Sequence, residues 1–109
     1  MIPTTRALLH GTLEALVLKT LAPGQLHGYA IARAIESRAN GTLQIEEGSL
    51  YPALYRLEAR GLLASEWGTS ELGRRAKLYS LTKKGRARLQ QEIAAWRTFS
   101  LAVTGVLAE

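Results

Sequence analysis

Apolar residues at 13, 16, 17 and 21 recur on one face of a helix, which predicts a first helix over residues 12–21, ended by Pro23-Gly24. A second helix is predicted over residues 28–38, burying Tyr29, Ile31 or Ala32, and Ile35, until Asn40-Gly41 breaks the pattern. Leu43 and Ile45 alternate with polar neighbours and predict a very short strand. A third helix follows from Glu47, with Leu50, Leu54 and Leu57 at spacings of four and three. The period then changes. Residues 63–67 and 76–81 read as strands of a hairpin, separated by a loop over residues 68–75 that holds two glycines and ends in Arg74 and Arg75. Tyr79 and Leu81 share the face of the second strand that turns to the core. Thr82 is an N-cap for a last helix of about 25 residues, on the order of 37 Å long.

That last helix carries Leu89, Ile93, Trp96, Val103 and Leu107 on a 4-3-7-4 spacing, with Ser100 at the missing step. The stripe is a heptad seam, and Phe99, Ala102 and Val106 widen it. The stripe could fold back on its own core, but a domain of this size has no obvious means of covering one so long, so pairing with a second subunit is the better supported reading and the pattern predicts a homodimer. The expected architecture is mainly α with a small β-hairpin, in one compact unit: residues 1–82 form a winged helix-turn-helix and residues 83–109 a dimerisation helix. There is no internal repeat and no linker.

The third helix has an unusual outer face. With about 100° per residue, Leu50, Ala53, Leu54 and Leu57 cluster toward the core. Gly48, Pro52, Tyr55 and Ala59 lie opposite, with Ser49, Arg56 and Arg60 on one flank and Tyr51 on the other. Small residues at a helix start permit close approach to another surface, and the unsatisfied N-terminal amides attract phosphate. Hydroxyls and guanidinium forks suit phosphates and base edges. Pro52 removes one helical hydrogen bond, a modest loss so near the first turn. These residues fit a helix that enters a DNA major groove.

Charge sharpens this picture. The chain of 109 residues has 14 Lys and Arg against 9 Asp and Glu, for a net charge of +5. Seven basic residues (Arg74, Arg75, Lys77, Lys83, Lys84, Arg86 and Arg88) and no acidic one fall within residues 74–88, directly after the start of the expected wing tip. A polyanionic partner is the natural reading, and double-stranded DNA the specific one. The chemistry of an enzyme is missing: there is no Cys, no Asp and no phosphate-binding glycine loop, and the two histidines, His10 and His27, are far apart. No cofactor or metal is expected. No apolar run approaches the length of a membrane span, and the start, MIPTTRALLHG, lacks the long apolar stretch of a signal peptide. A cytoplasmic setting without membrane contact is expected.

His27-Gly-Tyr29, Gly48-Ser-Leu-Tyr-Pro52, Arg56-Leu-Glu58, Gly61-Leu62 and Tyr79-Ser-Leu-Thr-Lys-Lys-Gly85 together resemble the signature of PadR-family transcriptional regulators. The resemblance runs from about Leu9 to the end of the last helix. Glu66-Trp67-Gly68, Arg75-Ala-Lys77 and Trp96 are similar to a subgroup with one C-terminal helix. It implies a homodimer joined by the C-terminal and first helices, binding an inverted repeat, usually as a repressor. The DNA-binding set so expected is His27, Tyr29, Ser49, Tyr51, Pro52, Tyr55 and Arg56, with Arg74, Arg75 and Lys77 in the wing. In drug-binding relatives aromatic side chains meet across the dimer and sandwich flat hydrophobic compounds, so the resemblance permits Trp96 and Phe99 as contacts of a small aromatic or hydrophobic effector; the alternative is that Trp96 is a packing anchor of the dimer. Glu46 and Glu47 depart from the pattern, since relatives often carry Ser or Pro there. The competing reading is a winged-helix protein-interaction module without specific DNA readout, which flat salt dependence of DNA retention would favour.

Overall fold

The computed structural model describes residues 11–108; His10 lies outside them. Among the described residues, four helices and three strands follow in the order α1 (Leu13–Thr20), β1 (Leu26–His27), α2 (Gly28–Arg38), α3 (Glu47–Ala59), β2 (Leu63–Thr69), β3 (Arg75–Leu81) and α4 (Lys83–Leu107). This is a winged helix-turn-helix with a long C-terminal helix. The strands form one antiparallel sheet in the order β1-β3-β2.

The core is built from the faces that the spacing marks out. Leu13, Val17, Leu18 and Leu21 come from α1 and its end, and Ile31, Ala32 and Ile35 from α2. Leu50, Ala53, Leu54 and Leu57 come from α3, and Leu62, Leu63, Tyr79 and Leu81 from the sheet side. The α3 set is the inner arc expected from its periodicity. Burial also raises the Tyr79 phenol above its ordinary pKa, against a smaller opposing pull from Lys77.

The expected helix ends are met by identifiable caps. Gly61 has φ +76°, and around it Leu62 N–H donates to the Leu57 carbonyl at 2.9 Å and Gly61 N–H to that of Glu58 at 2.9 Å. That is the paired closure of a helix C-terminus that needs a left-handed residue. At the start of α4, Thr82 Oγ1 accepts from Gly85 N–H at 2.9 Å and donates toward the Leu62 carbonyl at 3.0 Å. The same hydroxyl lies 2.8 Å from the Gly61 carbonyl oxygen, and Lys84 Nζ donates to that of Arg60 at 3.0 Å, so the start of α4 is joined to the chain just after α3 through several backbone oxygens.

Four expectations change. The strand expected at Leu43 and Ile45 does not form; Ile45 N–H donates instead to a Glu36 carboxylate oxygen at 2.7 Å, so a side chain takes the donor a neighbouring strand would need. The third strand is β1, whose two residues pair with Tyr79 and Leu78 of β3. Tyr29 is 63% exposed rather than buried, because its ring stacks with His27 and lies 5.2 Å from the Arg33 guanidinium. The hairpin strands run further than expected, pairing as far as Thr69 with Arg75, so the turn between them covers only residues 70–74.

The start of the heptad stripe also has a use within the monomer. Leu89 is buried in the core and Ile93 packs against it. From Trp96 onward the large apolar side chains of the stripe and its widening, Trp96, Phe99, Val103, Val106 and Leu107, are exposed, as is their neighbour Leu101.

Candidate nucleic-acid interface

Three elements converge on one side of the fold: the start of α2, the outer face of α3 and the β2–β3 wing. Ser49, Pro52, Tyr55 and Arg56 are all exposed on α3, as the helical phase predicts. Gly48 has no neighbouring atom within 4 Å of where a Cβ would stand, so the helix start is open to close approach. Tyr51 is half-exposed, and its ring lies over Gly28, the first residue of α2. A Cβ on Gly28 would fall 2.7 Å from the ring carbon Cε1 and from the phenol oxygen. Gly28 is thus the seat of Tyr51. Between α2 and α3 runs an open cleft of about 400 Å³, lined in part by Tyr29, Arg33, Tyr51 and the two glutamates Glu46 and Glu47.

His27 caps α2. Its Nδ1 accepts from Ala30 N–H at 3.2 Å, which places the ring proton on Nε2, 3.1 Å from Glu71 Oε1 in the wing turn. The Glu71 carboxyl is held below the usual carboxylate range, first by its own backbone amide and then by His27. The His27 contact ties the wing tip to the start of α2. His27 therefore serves the architecture of the interface as well as its surface, a role visible only once Glu71 is in place 44 residues away.

The cations divide sharply by partner. Arg56 Nε meets Glu14 Oε2 at 3.1 Å and Arg60 Nη1 meets Glu14 Oε1 at 2.9 Å, so one carboxylate of α1 holds two arginines a helical turn apart. Arg56 keeps its two terminal nitrogens for another ligand. Lys77, expected in the wing's DNA-contacting set, turns inward: its Nζ lies 3.5 Å from Glu58 Oε1 and 5.6 Å from the Tyr79 ring. Ser65 donates to the other Glu58 oxygen at 2.6 Å. Arg74 and Arg75 have no carboxylate partner among the described residues; Arg75 instead lies 4.5 Å over the Trp67 ring. The basic run is consequently not one face. Lys84 donates to the Arg60 carbonyl, Arg86 to that of Ala22, and Arg88 pairs with Glu92. Glu14 and Glu71 carried no signal of these roles in the sequence; Gly28, Glu58 and Trp67 lay within motifs, but what each touches depends on the packing of α2 on α3 and on strand register.

An exposed polar helix beside a short helix-turn-helix partner, flanked by a wing whose arginines meet no carboxylate among the described residues, defines a winged-helix DNA-binding regulator. The chain belongs to the PadR-like transcriptional regulator family, whose model matches residues 17–91. It is similar to the transcriptional regulator Rv3488 of Mycobacterium tuberculosis, 33% identical over 89 residues that span 82% of this chain and 79% of that one. Among solved structures, the PadR-like regulator of Bacillus cereus superposes with a TM-score of 0.80 at 27% identity, covering 94% of this chain and 98% of that one. The PadR-family regulator of Eggerthella lenta does so with 0.77 at 36% identity, covering 94% and 87%. These are transcriptional regulators, not enzymes. Among the described residues no helix is long and apolar enough to cross a membrane.

Proposed function

We propose that the chain is a sequence-specific repressor that binds an inverted repeat as a homodimer, with α3 in the major groove and the wing on the flanking backbone. The observation that carries this reading is the pairing of an open α3 face (Gly48, Ser49, Pro52, Tyr55) with two wing arginines that meet no carboxylate among the described residues. Glu46 and Glu47 are exposed at the α3 tip and repel phosphate there. The helix then meets DNA along its side, through Ser49, Tyr51, Tyr55 and the free end of Arg56. Base readout at those positions is worth about 1–3 kcal/mol per bidentate contact.

Selection from a random DNA pool should return a two-fold symmetric site, and transcription through that site should fall as protein is added. Affinity should drop steeply with salt, because bound phosphates release counterions. Arg74→Ala should weaken binding to all sequences alike and lower the salt slope by roughly 0.9. A salt-independent association in the unmodified protein would instead favour a protein-interaction module.

Gly28→Ala separates the fold from the interface. The clash is with the far end of a tyrosine ring, which can swing, so the stability loss should be only about 1–2 kcal/mol. Tyr51 must leave its seat, and DNA affinity should fall while the far-UV circular dichroism of the native state is kept. Unchanged DNA affinity in a folded Gly28→Ala protein would remove Tyr51 from the interface.

A further inference from the structure

Trp67 is an indole on an outer strand of the wing, and 61% of it is exposed. An aromatic of that size gains little by standing in water, and the core of the domain does not use it. Its contact is with Arg75. In the β2–β3 register Thr69 faces Arg75 and Trp67 faces Lys77, so Trp67 and Arg75 are diagonal neighbours on one face of the hairpin, within reach of long side chains. The guanidinium carbon lies 4.5 Å from the ring centroid, inside the range of a cation–π contact.

The manner of holding matters for binding an anion. Arg56 and Arg60 are positioned by Glu14, and Lys77 by Glu58. Each of those carboxylates occupies donor atoms and brings a negative charge that phosphate must compete with. Trp67 does neither. A ring contacts the flat face of a guanidinium, whereas its N–H donors point outward in the plane of the group. The ring contact therefore restrains Arg75 without placing an opposing charge on its donors.

We propose that Trp67 is a positioning residue of the DNA interface, a neutral platform that presents the Arg75 guanidinium edge to a backbone phosphate beside the groove occupied by α3. This rests on the DNA-binding reading above. Trp67 acts through Arg75, without reading bases itself, so its contribution is independent of DNA sequence. Because the platform costs no opposing charge, Arg75 is the wing cation that engages phosphate with least rearrangement.

The test is a salt titration of binding to a labelled mixed-sequence duplex, using the full chain. Trp67→Leu keeps apolar bulk on the strand but has no π face, and Trp67→Phe keeps a π face. Trp67→Leu should weaken binding by about two- to fivefold, the size of an exposed cation–π contact. It should also lower the salt slope toward that of Arg75→Ala, which loses roughly 0.9. Trp67→Phe should recover most of both, and Trp67→Leu combined with Arg75→Ala should be no weaker than Arg75→Ala alone. Thermal midpoints, measured alongside, identify any variant whose loss comes from unfolding, and the folded Leu and Phe variants are then compared at equal native fraction. An unchanged slope in Trp67→Leu, or losses that add in the double variant, would overturn the positioning role. If the unmodified protein itself binds without salt dependence, the DNA-binding reading fails, and the platform with it; a steep slope that Trp67→Leu leaves intact defeats the platform alone.

Discussion

Replacing Gly85 by alanine is expected to cost about 3 kcal/mol or more, the upper range of forced overpacking. A Cβ at this position would stand 2.1 Å from the Leu62 carbonyl oxygen and 2.7 Å from Leu81 Cδ1. The oxygen belongs to the backbone, so no rotamer change relieves the contact. It is also the acceptor of Thr82 N–H at 3.2 Å and Thr82 Oγ1 at 3.0 Å. Moving it away from α4 would break the backbone bond that holds the capping residue Thr82 and leave its hydroxyl only the Gly61 carbonyl at 2.8 Å. At about 4–8 °C per kcal/mol for a domain near this size, the thermal midpoint should fall by about 12–24 °C at fixed protein concentration. Gly48→Ala is the contrast. Its Cβ meets nothing within 4 Å, and alanine is the better helix former, so its midpoint should hold or rise. A Gly85→Ala protein that melts with the unmodified one would mean that α4 does not leave the sheet as described.

Charging the far half of α4 is expected to abolish the proposed dimer and with it high-affinity binding to an inverted repeat. Trp96, Phe99, Leu101, Val103, Val106 and Leu107 are all exposed on one helix, an apolar surface of a kind that monomers rarely leave open. Trp96 and Phe99 stand side by side, with ring centroids 6.3 Å apart. Phe99→Glu combined with Val106→Glu would bury unpaired carboxylates in any self-association through this face, at a cost of several kcal/mol. The same changes leave the monomer's core untouched. Sedimentation should find a monomer at concentrations where the parent protein is a dimer. Affinity for the symmetric site should fall by about 10²–10⁴-fold, the loss of two linked half-site contacts, while weak half-site binding persists. Persistence of the dimer would place the subunit contact elsewhere. Truncation is less informative if it begins at the start of α4, because it removes Leu89 from the core. A cut after Arg97 spares both Leu89 and Ile93.

What the sequence by itself determined is the local order of the chain: α2 and α4 at their full extents, the inner arc of α3, the Thr82 cap and the alternation that makes Tyr79 and Leu81 inner residues. These follow from periodicity and from chemistry within a few residues, where spacing alone states who meets whom. The motif glycines were legible as positions, but only tertiary structure gave two of them a reason: Gly28 seats Tyr51, and Gly85 lies on the Leu62 carbonyl. Strand β1 is two residues long and carries no period of its own; it is a strand because β3 pairs with it. The seam of α4 was read as one stripe, yet Leu89 and Ile93 pack on their own domain, since a repeat does not say which chain covers it. Side-chain charge was least legible of all. Arg56 and Lys77 lie on the expected elements, but Glu14 and Glu58, 42 and 19 positions away in the chain, take up part of their bonding, and Trp67 holds Arg75 through strand register. Composition counts charges; only the fold decides which of them remain free to meet a phosphate.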